Sequence, residues 1–129
     1  MAFLAIVAAA AVAAAGSPGA AADEARTLAA QCDAGKSTSC IHLGIMHRRG
    51  IDAPLDERKA IELFVSACEQ GYTLACAFTG DMAFVGEGVA RNAEHGEILM
   101  RRACSGKNEW ACETLRRRGL IDPRAKALY

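Results

Sequence analysis

Charge of one sign is what this chain lacks first: 15 basic residues meet 15 acidic ones and the formal net charge is zero. Without a global field the main driving term for tracking a phosphate backbone or an anionic lipid surface is gone, so nucleic acid is excluded as a partner class. Proline occurs only three times, and no stretch alternates apolar and polar residues long enough to read as a strand. That excludes β-rich architectures and leaves helix as the reading. Apolar runs are short too. The longest, Phe3 to Ala15, has 13 residues, fewer than the ~20 a membrane-spanning helix needs.

Signatures of chemistry are missing as well. A serine β-lactamase or transpeptidase needs a serine with a lysine one helical turn on, supported by S-D-N and K-T-G elements, and none of these occurs. Ser66 and Ser105 read as structural. No H-E-x-x-H helix is present, and the cysteines do not open with the two-to-four spacing of a structural zinc site, so His42, His47 and His95 are not read as ligands. His47 reads instead as a packed histidine. C-x-x-C spacing is absent, which argues against a thiol oxidoreductase. The segment Gly86-Glu-Gly-Val-Ala-Arg91 has Arg91 where the last glycine of a phosphate loop belongs, and no strand precedes it. It reads as an inter-helix turn. Nothing in the sequence calls for a catalytic residue, a metal or a cofactor.

What is present begins with a leader. The apolar run is followed by Gly16, Ser17, Pro18 and Gly19 and then by Ala20, Ala21 and Ala22 before Asp23. This is the architecture of a cleavable signal peptide, although no Lys or Arg precedes the apolar core. Residues 1–22 are therefore read as the leader and 23–129 as the working domain, secreted or periplasmic, with no stable membrane insertion after cleavage. About 107 residues then remain for a core, enough for one domain without much surplus burial.

Six cysteines form a lattice. Cys32, Cys68 and Cys104 are 36 residues apart, Cys40, Cys76 and Cys112 are 36 apart, and each pair encloses seven residues. Gly44 and Gly80, Gly50 and Gly86, Leu63 and Leu99, Ala67 and Ala103, and Ala75 and Ala111 keep the same period. Each period reads as two helices. The spacing predicts a first helix over about 38–48, ended by Gly50, and a second capped by Asp56 that runs to about Gln70 and stops at Gly71. The next pair falls at about 73–84 and 93–104. Flanking helices are expected at 23–34 and 108–118, with a last turn from Pro123. The full units are about 40–75 and 76–111.

Each cysteine pair straddles the turn between one helix and the next, where antiparallel helices bring Cα atoms within bonding range. Fifteen connectivities are open to six cysteines. One bond per hairpin respects the repeat: Cys32 with Cys40, Cys68 with Cys76, and Cys104 with Cys112.

These residues resemble the Sel-1-like repeat family, whose pattern is approximately A-x3-L-G-x2-Y-x2-G-x-G-V, then D-x2-K-A, an aromatic pair and A-A-x2-G. Leu43, Gly44, His47, Gly50, Asp56, Lys59, Ala60, Phe64, Ala67 and Gly71 fit one unit, and Ala75, Gly80, Gly86, Gly88 and Val89 fit the next. Cysteines seven residues apart resemble the Hcp-like, cysteine-rich branch, in which the two cysteines of a unit are bonded. The resemblance covers about 24–118. It implies an all-α solenoid of helical hairpins with a concave face lined by the first helix of each unit, in a family of scaffolds and adaptors. On that face the non-core positions are His42, Ile45, Arg49, Phe78, Asp81, Trp110, Thr114 and Arg117, the candidate contacts for a peptide or protein partner. Phe78 and Trp110 beside arginine would be anchors if exposed; the alternative is that they pack between units. Two further functions stay open through the resemblance: a β-lactam-binding or weakly β-lactam-hydrolysing protein, which turnover of nitrocefin would reveal, and a passive structural protein of the cell envelope. The oligomeric state is not readable.

Overall fold

The computed structural model describes residues 18–122 and 124. Most of the expected leader, residues 1–17, and most of the expected last turn from Pro123 lie outside them. Among the described residues six helices follow one another: α1 (Pro18–Asp33), α2 (Ser37–Arg49), α3 (Glu57–Glu69), α4 (Thr73–Val85), α5 (Ala93–Ser105) and α6 (Glu109–Arg117). No strand occurs among the described residues. Each helix packs against the next in the chain, so the molecule is a row of antiparallel hairpins.

The helix limits come from local chemistry. Asp56 accepts a hydrogen bond from the Lys59 N–H at 2.9 Å, Asn92 from the His95 N–H at 3.0 Å and Asn108 from the Ala111 N–H at 2.9 Å. These side chains supply partners for N–H groups that the first turn of a helix leaves open. Helices α2 and α4 stop where Gly50 (φ 66°) and Gly86 (φ 81°) enter the left-handed region, returning N–H bonds to the Met46 and Met82 carbonyls. Helix α1 starts five residues before Asp23, where sequence reading put it. Proline suits a first helical position, since its missing N–H would have had no helical partner, and the alanines that follow have the highest helix propensity.

The core is a stripe along the row. Phe64, Met82, Met100 and Leu115 are fully buried, with Ala60, Ala67, Ala75, Ala103 and Ala111 at closest approach between helices. Glycine sets how near two helices can come. A Cβ on Gly80 would lie 3.0 Å from the Gly96 carbonyl oxygen, and one on Gly96 would lie 2.9 Å from the Gly80 carbonyl oxygen, so α4 and α5 meet backbone to backbone. Gly44, one period before Gly80, receives the Phe64 ring in the same way, with Cε1 2.7 Å from where its Cβ would be. No residue but glycine fits these contacts without the packed neighbour shifting.

The structure pairs Cys32 with Cys40, Cys68 with Cys76 and Cys104 with Cys112, with Cα–Cα distances of 4.7, 4.6 and 4.7 Å. Each bond ties the end of one hairpin to the start of the next, across turns at Gly35, Gly71 and Gly106. Five of the six sulfur-bearing residues are buried and Cys32 is half-buried.

Candidate partner-binding groove

Helices α2, α4 and α6 are the first helices of successive units, so residues 36 apart occupy equivalent places on them. Thr38, Leu74 and Trp110 form one such row, His42, Phe78 and Thr114 a second, and Ile45, Asp81 and Arg117 a third. Clefts open along this face. One of about 450 Å³ lies between α2 and the start of α4, walled by Ile41, His42, Ile45, Tyr72 and Leu74. Another of about 390 Å³ lies between α4 and α6 and is walled by Asp81, Trp110, Thr114, Arg117 and Arg118.

The expected contact residues fall into three groups. His42, Arg49 and Arg117 are exposed, and His42 and Ile45 wall the first cleft. Phe78 and Trp110 are half-buried and pack on the core: the Phe78 ring stacks on Phe64 at 4.8 Å and meets Trp110 at 5.5 Å. A continuous aromatic contact thus runs from the core to the wall of the second cleft. Thr114 is buried at 7 % exposure, and Asp81 is held in an ion pair. His47 is half-buried with Nδ1 2.9 Å from the Pro54 carbonyl oxygen, fixing the loop that follows α2.

Arg48 was not among the residues expected to contact a partner. It is only 18 % exposed and bridges two units: its guanidinium donates to Asp81 at 2.6 Å and to Glu87 at 3.0 Å, and sits 5.9 Å from the Phe78 ring centre. Burial alone would lower its proton affinity, but hydrogen bonds to Glu87 and Asp81, with their charges, outweigh that and hold it above the ordinary arginine value. A raised value keeps Arg48 charged across the neutral range. At the far end of the face the Arg118 guanidinium lies 3.9 Å from the centre of the Phe84 ring.

Reading from sequence also passed over Tyr72 and Leu74, both 41 % exposed. Leu74 could have been found by the period alone, since it stands 36 residues before Trp110. Arg48 carried no such signal, because its partners lie 33 and 39 residues away and depend on how α2 sits against α4.

No group of three or more His, Cys, Asp or Glu side chains that could hold a metal ion occurs among the described residues. No helix among them is long and apolar enough to cross a membrane. Stacked two-helix units, a sulfur bridge at each unit boundary and an open cleft-bearing face define a helical-hairpin solenoid.

The chain belongs to the Sel1 repeat family, whose repeat model matches residues 37–72 and 73–108. Those matches have the 36-residue period of the cysteines. Cytochrome c oxidase assembly factor 7A of Xenopus laevis is 36 % identical over 73 residues, 56 % of this chain and 32 % of that protein. The corresponding factor 7 of Xenopus tropicalis is 33 % identical over the same length and shares. The chain therefore spans about a third of the curated relatives it matches. A protective antigen of uropathogenic Escherichia coli with an SLR fold superposes with a TM-score of 0.71 at 26 % identity, over 73 % of this chain and 20 % of that one. Helicobacter pylori cysteine rich protein B superposes with a TM-score of 0.65 at 26 % identity, over 70 % and 68 %.

Proposed function

We propose that this chain is an exported scaffold that holds a peptide or protein segment along the α2, α4 and α6 face. The observation that carries this reading is the pair of clefts on one face, the second walled by half-buried Trp110, which Phe78 braces against the core. Rigid aromatic walls bind at low entropic cost, because they have little freedom left to lose. Sel1 repeats form a scaffold family, and the curated relatives are assembly factors by name. The 73 shared residues amount to little more than two repeats. Export is supported by three disulfides in a small helical domain, which suit a non-reducing compartment, and agrees with the reading of the sequence at 1–22 as a leader.

A photo-reactive benzoylphenylalanine placed at His42, in the first cleft, should give a discrete adduct in cells that make the protein, whereas the same group at exposed Glu94 on α5 should not. Equal labelling from both positions, or none from His42, would remove the groove as the binding surface.

A further inference from the structure

Neutrality of the whole chain hides an uneven distribution. Helices α1, α3 and α5 carry five basic against eight acidic side chains. Helices α2, α4 and α6 carry four basic against three acidic, and Arg118 follows α6 directly. The small basic surplus therefore lies on α2, α4 and α6.

Pairing sharpens the contrast. Asp81, the only acidic residue of α4, is already tied to Arg48, and Glu113 lies within 3.6 Å of both Arg116 and Arg117. Among the described residues Arg49 and Arg118 contact no carboxylate. Arg117 and Arg118 wall the 390 Å³ cleft beside Trp110 and the Arg48-paired Asp81, whereas the smaller cleft walled by Arg49 is also lined by Glu24 and Asp52 and has no basic surplus. Cations surplus to internal pairing thus flank an apolar site, a pattern that steers an anionic chain in and then gives a side chain somewhere to bury.

Resting on the scaffold reading above, we infer that the segment held on this face is an acidic peptide with one large apolar side chain. Its carboxylates meet Arg117 and Arg118, and the apolar side chain enters the cleft walled by Ile45 and Leu74. A nucleic acid is the poorer fit, since an apolar cleft offers nothing to a phosphodiester backbone and only a few cations are surplus.

The chain has a single tryptophan, and Trp110 stands in the arginine cleft, so its emission reports occupancy directly. The oxidised full chain would be titrated with a ten-residue peptide of glutamates around one leucine, its lysine counterpart, an uncharged serine counterpart and a DNA oligonucleotide of equal negative charge. Saturable change with the glutamate peptide is expected, weakening about tenfold on raising the salt from about 50 to 500 mM and absent with the lysine peptide. The double variant Arg117→Glu, Arg118→Glu should bind about tenfold more weakly, while Arg101→Glu on α5 should bind as the parent does. Circular dichroism of each variant separates loss of binding from loss of fold, and the peptide series needs no variant. Equal binding of the serine peptide would overturn the acidic preference and leave the scaffold reading standing. Equal binding of the lysine peptide or the oligonucleotide would overturn it outright. Failure of every peptide, or a change of Trp110 emission with protein concentration alone that assigns the face to a second copy, would overturn it too. Adducts from His42 in cells test the scaffold reading separately.

Discussion

Reducing the three disulfides lowers the melting temperature of this chain by roughly 30–55 °C. Each bond joins cysteines eight positions apart and so closes a short loop. Closing such a loop in the unfolded chain removes entropy worth about 2.5 kcal/mol per bond, and three bonds together about 7 kcal/mol. A domain of this size has a net stability of about 5–15 kcal/mol, so the staples supply a share that burial alone does not replace. Near the midpoint each kcal/mol is worth about 4–8 °C for a domain of around 100 residues, which gives the stated range. Melting followed by helical circular dichroism with and without a phosphine reductant makes the comparison. An unchanged melt, with thiol release confirmed by mass, would contradict the role given to the disulfides.

Replacing Phe64 by alanine costs about 3–5 kcal/mol, the largest effect expected of any single side-chain truncation in the chain. Phe64 is 0 % exposed, fills the space over Gly44 and stacks on Phe78. Its removal leaves a cavity between α2, α3 and α4, lined by helices that the Cys68–Cys76 bond prevents from closing freely. The same change at half-buried Phe78 should cost distinctly less, since part of that ring already faces solvent. Urea unfolding measures both. A loss below about 1 kcal/mol for Phe64→Ala would mean that the aromatic contact from core to groove carries little of the packing. A Phe64 variant that still folds should also show altered Trp110 emission, because the contact Phe64–Phe78–Trp110 is continuous.

The two predictions mark how far sequence reading reaches. Period, helix count and cysteine register were legible because each unit repeats the same local signals: a cap at Asp56 or Asn92, a left-handed stop at Gly50 or Gly86, and a cysteine on each side of the turn. The start of α1 was not, because Ala20 to Ala22 serve equally well as a cleavage site and as a helix turn. On the groove face the residue list was legible from helical spacing, but not the state of each side chain. Phe78 and Trp110 were open to two readings, and the structure packs them together. Thr114 was placed on the open face and walls a cleft there, yet it is only 7 % exposed. Arg48 and Arg49 are neighbours of the same type with opposite fates, one bridging units and one exposed. Only the tertiary placement of Asp81 and Glu87 decides between them. Charge segregation between alternate helices was likewise hidden, since a neutral total says nothing about which face each charge occupies.

At the base of this account stands one connectivity, a sulfur bridge inside each turn of a 36-residue repeat. Peptide mapping of the oxidised protein by mass spectrometry, digested without reductant, reads it directly. The account predicts three linked fragments, Cys32 with Cys40, Cys68 with Cys76 and Cys104 with Cys112, and no free thiol. Bridges between cysteines of different pairs, or thiols left free in the folded protein, would contradict it.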